Sequence, residues 1–357
     1  MRVRAVAAAL LALAAGGGPV PPLVPADDRR VRITGRVDRS RPGRVRIGYP
    51  GVALRLRFEG TALAMRADAA TADVYFDVTV DGGPSRVLRL PSGAGDSVLA
   101  EGLPRGTHTV EVLHRNETWQ GVAAVVGFRT DGRLVEAEPR PARRLLFVGD
   151  SVTCGENVDR ATGACRKDAS HWNAARSYGM QLARALDAEA HLVCYGGRGL
   201  VRDWQGRTDV PNAPRFFDLA VPEEDGAAWD HAAWAPDAIV VSLGTNDFSA
   251  AAGALPERGP FVAAYVAFVR QMRSRHPSAG IVLTEGAILG DEDPTRPARS
   301  LLGAWLDEVV AQLRDPRVVH APSVRHPGDA CDAHPTAAEH AAMARELEPS
   351  VRAVAGW

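Results

Sequence analysis

From residue 31 to about residue 128 the apolar positions recur with a period of two. Val45, Ile47 and Tyr49 alternate with Arg44, Arg46 and Gly48, and Leu54, Leu56 and Phe58 alternate with Arg55 and Arg57. Phe76, Val78 and Val80 continue the habit up to an Asp81-Gly82 turn, and Val110 and Val112 repeat it after Gly106. Alternation puts every second side chain on one face, which is the signature of half-buried strands. Several such runs with turn residues between them and almost no helical spacing predict an antiparallel β-sandwich of the jelly-roll kind over 27–138, with a barrel as the alternative.

Past Pro139-Arg140-Pro141 the pattern changes. Short, continuous apolar runs at 145–148, 191–194, 238–243, 281–284 and 318–320 read as buried strands. Between them Tyr178, Leu182 and Leu186, then Phe261, Tyr265, Phe268 and Met272, then Leu302, Leu306, Val309 and Leu313 recur at helical spacing. Met343, Leu347, Val351 and Val354 form a last amphipathic stripe. Strand then helix, repeated, predicts an α/β domain over 139–357: a parallel sheet covered on both faces, with right-handed crossovers. No internal repeat is present.

Composition narrows the class. The chain has 357 residues, a formal net charge of -1 and 24% charged residues, so it carries no electrostatic footprint for nucleic acid. Arg2 and Arg4 precede an unbroken small apolar stretch at 5–15 and a Gly/Pro-rich exit, which reads as a secretory signal peptide over 1–26 with Val24-Pro25-Ala26 as the cleavage candidate. That stretch is too short to span a bilayer and nothing later approaches a transmembrane length, so a soluble, secreted protein without a membrane role is expected.

The four cysteines, Cys154, Cys165, Cys194 and Cys331, would then sit where disulfides persist. Of the three possible pairings, one has Cys154 with Cys165 closing a short loop and Cys194 with Cys331 tying distant segments. Reduced, buried thiols are the alternative. The chain lacks Cys-x-x-Cys and His-Glu-x-x-His spacings, so neither a metal nor another cofactor is expected, and a monomer is.

Four segments carry chemistry, and three of them sit at strand ends. Gly149-Asp150-Ser151 follows the run 145–148, where a glycine permits the sharp turn that would hold a nucleophilic Ser151 at the open end of a strand. Tyr195-Gly196-Gly197-Arg198-Gly199 follows 191–194 and offers backbone N–H groups to a negative oxygen. Gly244-Thr245-Asn246-Asp247 follows 238–243 and offers the Asn246 amide, a directional donor. Cys331-Asp332-Ala333-His334-Pro335-Thr336 precedes the last helix and supplies a base, His334. Singly, each segment is also an ordinary turn or helix cap. Together they provide nucleophile, base and oxyanion donors. An α/β-hydrolase elbow is excluded, because Gly-x-Ser-x-Gly would need a glycine at Thr153.

The ordered set resembles the SGNH hydrolases of the GDSL esterase group. With a leading sandwich, Gly149-Asp150-Ser151-Val152-Thr153-Cys154-Gly155, Gly197-Arg198-Gly199 and Cys331-Asp332-Ala333-His334-Pro335, it resembles the second family of carbohydrate esterases, over nearly the whole of the chain past residue 26. The resemblance implies a flavodoxin-like three-layer catalytic domain and a secreted serine esterase that removes acetyl groups from plant-wall polysaccharides such as xylan and glucomannan. It implies Ser151 as nucleophile, His334 as base, and an oxyanion hole from the N–H groups of Ser151 and Gly197 and the Asn246 side chain.

One position departs from the wider group, which places an aspartate three residues before the histidine. That position is Cys331. Asp332 stands two residues before His334 and on an extended segment would point away from it. Either a local turn brings Asp332 back to the ring, or a backbone carbonyl holds His334 in a Ser-His dyad. Trp204, just after the glycine loop, and Trp172, after the serine, are candidate platforms for a sugar ring, with burial in the core as the alternative; Trp305 lies on a helical apolar stripe and reads as core. The alternatives to this reading are a lipase or esterase on other esters, a metal-dependent deacetylase, and a carbohydrate-binding protein with a lapsed site.

Overall fold

Strand Ala53–Gly60 realises the alternation read from the sequence: Leu54, Leu56 and Phe58 are buried while Arg55 is exposed and Arg57 half-buried. The computed structural model describes residues 21–357 apart from Thr162 and Glu224. Residues 1–20, which hold most of the signal-peptide reading, lie outside the described residues. The described chain separates into two compact units, one ending at Pro139 and the other comprising Tyr49–Gly51 and Arg140–Trp357.

In chain order the first unit contains β1 (Val24–Pro25), β2 (Arg32–Thr34), β3 (Val45–Ile47), β4 (Ala53–Gly60), β5 (Leu63–Ala69) and β6 (Tyr75–Val80). It continues with β7 (Arg86–Arg89), β8 (Gly93–Ala100), β9 (Gly106–His114), β10 (Ala123–Thr130) and β11 (Arg133–Val135). These form two antiparallel sheets. One runs β1-β10-β5-β8 with β3 also on β10, and the other runs β11-β4-β9-β6-β7 with β2 also on β4. Their buried side chains include Met65, Phe76, Val110, Val112, Val125 and Phe128, and on β10 the alternation is broken by a bulge between Val125 and Gly127. The period-two run starting at Val45 stops at Ile47: Tyr49 is not in a strand, and its buried hydroxyl donates to the Phe216 carbonyl at 2.6 Å within the second unit.

The second unit is built on five parallel strands, β12 (Arg143–Gly149), β13 (Ala188–Cys194), β14 (Ala238–Ser242), β15 (Gly280–Thr284) and β16 (Val318–His320). They lie in the order β13-β12-β14-β15-β16, and almost every residue of β12, β14 and β15 is buried, as expected of strands covered on both faces. The helices, in order, are α1 (Ser151–Cys154), α2 (Tyr178–Ala185), α3 (Ala213–Phe216), α4 (Arg258–Arg275), α5 (Ala298–Leu313) and α6 (Ala337–Ala355). Packing of α2 with α6 and of α4 with α5 completes the three layers, and Trp305 on α5 is in the core. Among the described residues no helix is long and apolar enough to cross a membrane.

This strand order positions the chemistry. The chain leaves β12 for a neighbour on one side, β13, and then returns to the other side at β14, so a crevice opens above the carboxyl end of β12. Gly149 is in register with Cys194 and with Ser242, which sets the three loops bearing Ser151, Gly197 and Asn246 level with one another.

Candidate active site

Ser151 is the first residue of α1. Asp150 caps that helix by accepting the Val152 N–H at 3.1 Å, so the turn from strand to helix is complete within three residues. Gly149 is required by space: a Cβ there would lie 2.0 Å from Thr153 Oγ1 and 3.0 Å from the Ser242 carbonyl oxygen. The Thr153 hydroxyl is paired with Tyr178 Oη at 2.9 Å, so the underside of the serine turn is locked to α2.

The histidine arrives from a loop 183 residues later. His334 Nε2 lies 2.9 Å from Ser151 Oγ, and His334 Nδ1 lies 2.9 Å from Asp332 Oδ1. Of the two arrangements open in the sequence, the structure adopts the turn. Asp329 and Asp332 form an isolated bridge, and the Asp329 carboxylate accepts the N–H groups of Cys331 at 2.9 Å and Asp332 at 3.2 Å. Asp329 is itself held by Arg160 at 2.7 Å and by the Gly163 N–H at 3.0 Å. Gly328, at φ 73°, passes beneath this loop, where a Cβ would lie 2.3 Å from the His334 carbonyl oxygen. A capping box between Thr336 and Glu339 then starts α6 immediately after the histidine.

Electrostatics follow from this geometry. Burial works against the Asp332 carboxylate, but the His334 ring, the Asn157 amide and the Lys167 ammonium hold its carboxyl well below the usual carboxylate range. Burial also pulls the His334 imidazole down, yet the charge of Glu156 and the hydrogen bond and charge of Asp332 win, and its pKa lies above the ordinary imidazole value. Glu156 Oε2 is 3.4 Å from His334 Nε2, and Lys167 Nζ reaches Glu156 Oε1 at 2.7 Å and Asp332 Oδ1 at 3.5 Å. Glu156, Asp332 and His334 place their donor atoms within 4.8 Å of one another, and the cation that bridges the two carboxylates is the Lys167 ammonium.

On the oxyanion side, the N–H groups of Ser151 and Gly197 make no hydrogen bond to any described residue. Asn246 Nδ2 donates to the Arg198 carbonyl at 2.9 Å and makes only a long contact, 3.5 Å, with Asp150 Oδ2. That amide therefore spans the first two loops, next to Ser151 on one side and Gly197 on the other. Asp247 anchors the glycine loop: its carboxylate accepts the N–H groups of Leu200 and Val201 at 2.8 Å and of Arg202 at 3.2 Å. Burial pushes the Asp247 carboxyl up to about 6 against those donors.

Two family models match, the carbohydrate esterase 2 N-terminal domain at residues 33–139 and the GDSL-like lipase/acylhydrolase family at 147–342. An acetylxylan esterase / glucomannan deacetylase from Cellvibrio japonicus (strain Ueda107) is 39% identical over 336 residues, 94% of this chain and 91% of the relative. The chain belongs to carbohydrate esterase family 2. The structure of a family two carbohydrate esterase from Cellvibrio japonicus matches with a TM-score of 0.88 at 39% identity, covering 94% of this chain and 98% of the other. That of a family two carbohydrate esterase from Clostridium thermocellum in complex with cellohexaose matches at 0.83 and 26% identity, covering 92% and 99%. This family 2 esterase is therefore a carboxylic ester hydrolase.

Two expectations about the esterase are corrected. The cysteines pair as Cys154–Cys194 and Cys165–Cys331, not as Cys154–Cys165 and Cys194–Cys331. Because β13 lies beside β12, Cys194 at the end of β13 faces the serine helix, whereas the Arg160 and Gly163 contacts to Asp329 bring Cys165 to Cys331. Trp172 is no sugar platform: only 3% exposed, it belongs to the core. Trp204 is 45% exposed, and its backbone N–H donates to the Gly197 carbonyl at 2.9 Å. Its ring lies against Gly197, where a Cβ would meet Trp204 Cδ1 at 2.8 Å.

Sequence reading missed Glu156, Asn157 and Lys167. Nothing in the sequence marks Gly155 and Asn157 as the left-handed residues that turn the chain back to the histidine, and Lys167 carries no signal either.

Asn246→Ala is expected to lower kcat on an acetyl ester by roughly 10²–10³-fold with little change in KM, the scale for losing one oxyanion donor. Steady-state kinetics on p-nitrophenyl acetate decide it, and near wild-type turnover would remove Asn246 from the oxyanion hole.

Proposed function

We propose that this chain is an exported O-acetyl esterase acting on plant-wall polysaccharides of the xylan and glucomannan type. The observation that carries the reading is the relay of 2.9 Å contacts from Asp332 through His334 to Ser151 at the crevice end of β12. His334 Nε2 takes the Ser151 proton as Oγ forms a bond to the acetyl carbonyl carbon, and the oxyanion is met by the N–H groups of Ser151 and Gly197 and by the Asn246 amide. The tetrahedral centre collapses, the sugar oxygen leaves with the proton from Nε2, and an acetyl-enzyme remains. Water then gives its proton to Nε2 and attacks, and acetate departs as Oγ regains a proton.

Trp204 supports a saccharide substrate, since an exposed indole beside the oxyanion loop offers a flat apolar face to a sugar ring. The name of the Cellvibrio relative supports an acetylated xylan or glucomannan, and the Clostridium structure, in complex with cellohexaose, supports a saccharide ligand. Export is supported by the cationic-then-apolar start of the sequence and by two disulfides, which persist in oxidising compartments.

Acetate release from acetylated xylan and glucomannan, set against hydrolysis of a long-acyl p-nitrophenyl ester with Ser151→Ala as blank, tests the reading. A higher kcat/KM on the acetylated polysaccharides is expected. Preference for the long acyl chain, or acetate release that persists in Ser151→Ala, would overturn it.

A further inference from the structure

The turn behind the serine brings a second carboxylate to the other ring nitrogen of the histidine. Gly155 ends α1 in the left-handed conformation, the Glu156 N–H returns to the Ser151 carbonyl at 3.0 Å, and Asn157 is left-handed in turn at φ 56°. This tight reversal sends two consecutive side chains to the catalytic pair: the Asn157 amide donates to Asp332 Oδ2, and Glu156 Oε2 comes within 3.4 Å of His334 Nε2. Both carboxylates are largely buried, and Lys167 fixes their separation by bridging them. Each nitrogen of the imidazole therefore faces a carboxylate, Asp332 at Nδ1 and Glu156 at Nε2, with Ser151 sharing the Nε2 side.

We infer that Glu156 is a positioning residue for the esterase reaction, stabilising His334 as an imidazolium during the interval in which Nε2 carries the serine's proton. The inference rests on the acetyl-esterase reading above. In the resting state Nε2 has a lone pair and accepts from Ser151, so the Glu156 carboxylate has no proton to receive there. Once the proton has moved, Nε2–H is a cationic donor flanked by a carboxylate oxygen. An interaction present in the transition state and absent in the ground state raises kcat rather than substrate affinity. Asp332 acts differently, because its Nδ1 hydrogen bond exists in both states and fixes the tautomer. Glu156 also leaves the serine side open, since at 3.4 Å it is a weaker acceptor than a leaving sugar oxygen seated closer to Nε2.

Other charged groups face the ring. Lys167 approaches from the excursion after the serine and opposes protonation, Asp150 lies at the end of β12, and His340 of α6 is held neutral by burial, its pKa drawn down to about 3. The base works only when His334 is neutral, so activity appears as pH rises through its pKa, and the raised value sets that acid limb above the ordinary imidazole range. Removing the Glu156 charge lowers the His334 pKa and moves the limb to lower pH.

The experiment is the pH dependence of kcat on p-nitrophenyl acetate for wild type, Glu156→Gln, Glu156→Asp and Ser151→Ala, with thermal melts of each. Glu156→Gln should move the acid limb down by about one pH unit and lower plateau kcat roughly tenfold, with KM and melting temperature close to wild type. Glu156→Asp, which keeps the charge, should recover part of both effects. An unmoved limb in Glu156→Gln, whether or not the melt falls, overturns the inference while leaving Ser151 as nucleophile. Activity retained in Ser151→Ala instead removes the reading on which the inference rests.

Discussion

Ser151→Ala is expected to lower kcat for acetate release by roughly 10⁵–10⁶-fold, the scale on which a serine triad fails when its nucleophile is lost. The fold should survive. Ser151 contributes one hydroxyl to a helical turn whose cap is the Asp150 side chain and whose packing comes from Val152, Thr153 and Cys154. Its Oγ has one partner in the described structure, His334, so alanine leaves a single ring nitrogen without its donor. His334→Ala should cost nearly as much, and the double variant little more than either alone, since the two side chains act as one unit. Acetate release measured beside circular dichroism and melting curves separates lost chemistry from lost structure. Additive losses in the double variant would mean that Ser151 and His334 work independently, contrary to their 2.9 Å contact.

Asp332→Asn is expected to lower kcat by roughly 10³–10⁴-fold with KM nearly unchanged. The carboxylate accepts from His334 Nδ1–H, which leaves the lone pair on Nε2 facing the serine. An asparagine amide turned to keep its contact with Asn157 presents an N–H to Nδ1 and reverses the tautomer. Nε2 then carries the proton and cannot accept the one on Ser151. Because Asp332 stays ionised far below neutrality, its titration does not shape the acid limb of the activity profile, and that limb belongs to His334. A loss of less than about tenfold in Asp332→Asn would return the enzyme to the dyad in which a backbone carbonyl orients the ring.

Much of this fold is legible in the chain because burial imposes a period. Leu54, Leu56 and Phe58 alternate with arginines because one face of β4 is in the core and the other is not. The runs ending at Gly149, Cys194 and Ser242 are continuous because both faces of the parallel sheet are covered. Ser151, Gly197 and Asn246 are legible for the same reason, since each stands just after such a run.

What could not be read depends on partners far away in sequence. The position of Asp332 follows from a turn organised by Asp329, which is held by Arg160, 169 residues earlier. The disulfide pairing follows from β13 lying beside β12, and local spacing carries no trace of strand order. Trp172 follows the serine at a distance that suited the crevice equally well, and only packing put it inside. Glu156 reads as a loop glutamate until the left-handed residues on either side of it reverse the chain.

The Cys165–Cys331 bond changes the connectivity of the chemistry. Along the backbone the nucleophile and the base are 183 residues apart, and bringing them together by chain motion alone would close a very large loop. Through the bond, the path runs fourteen residues from Ser151 to Cys165, crosses to Cys331, and reaches His334 three residues later. Once the bond is made, the closure entropy for the catalytic pair is that of a short ring, and two residues at opposite ends of the domain stay topological neighbours even when the oxidised chain unfolds.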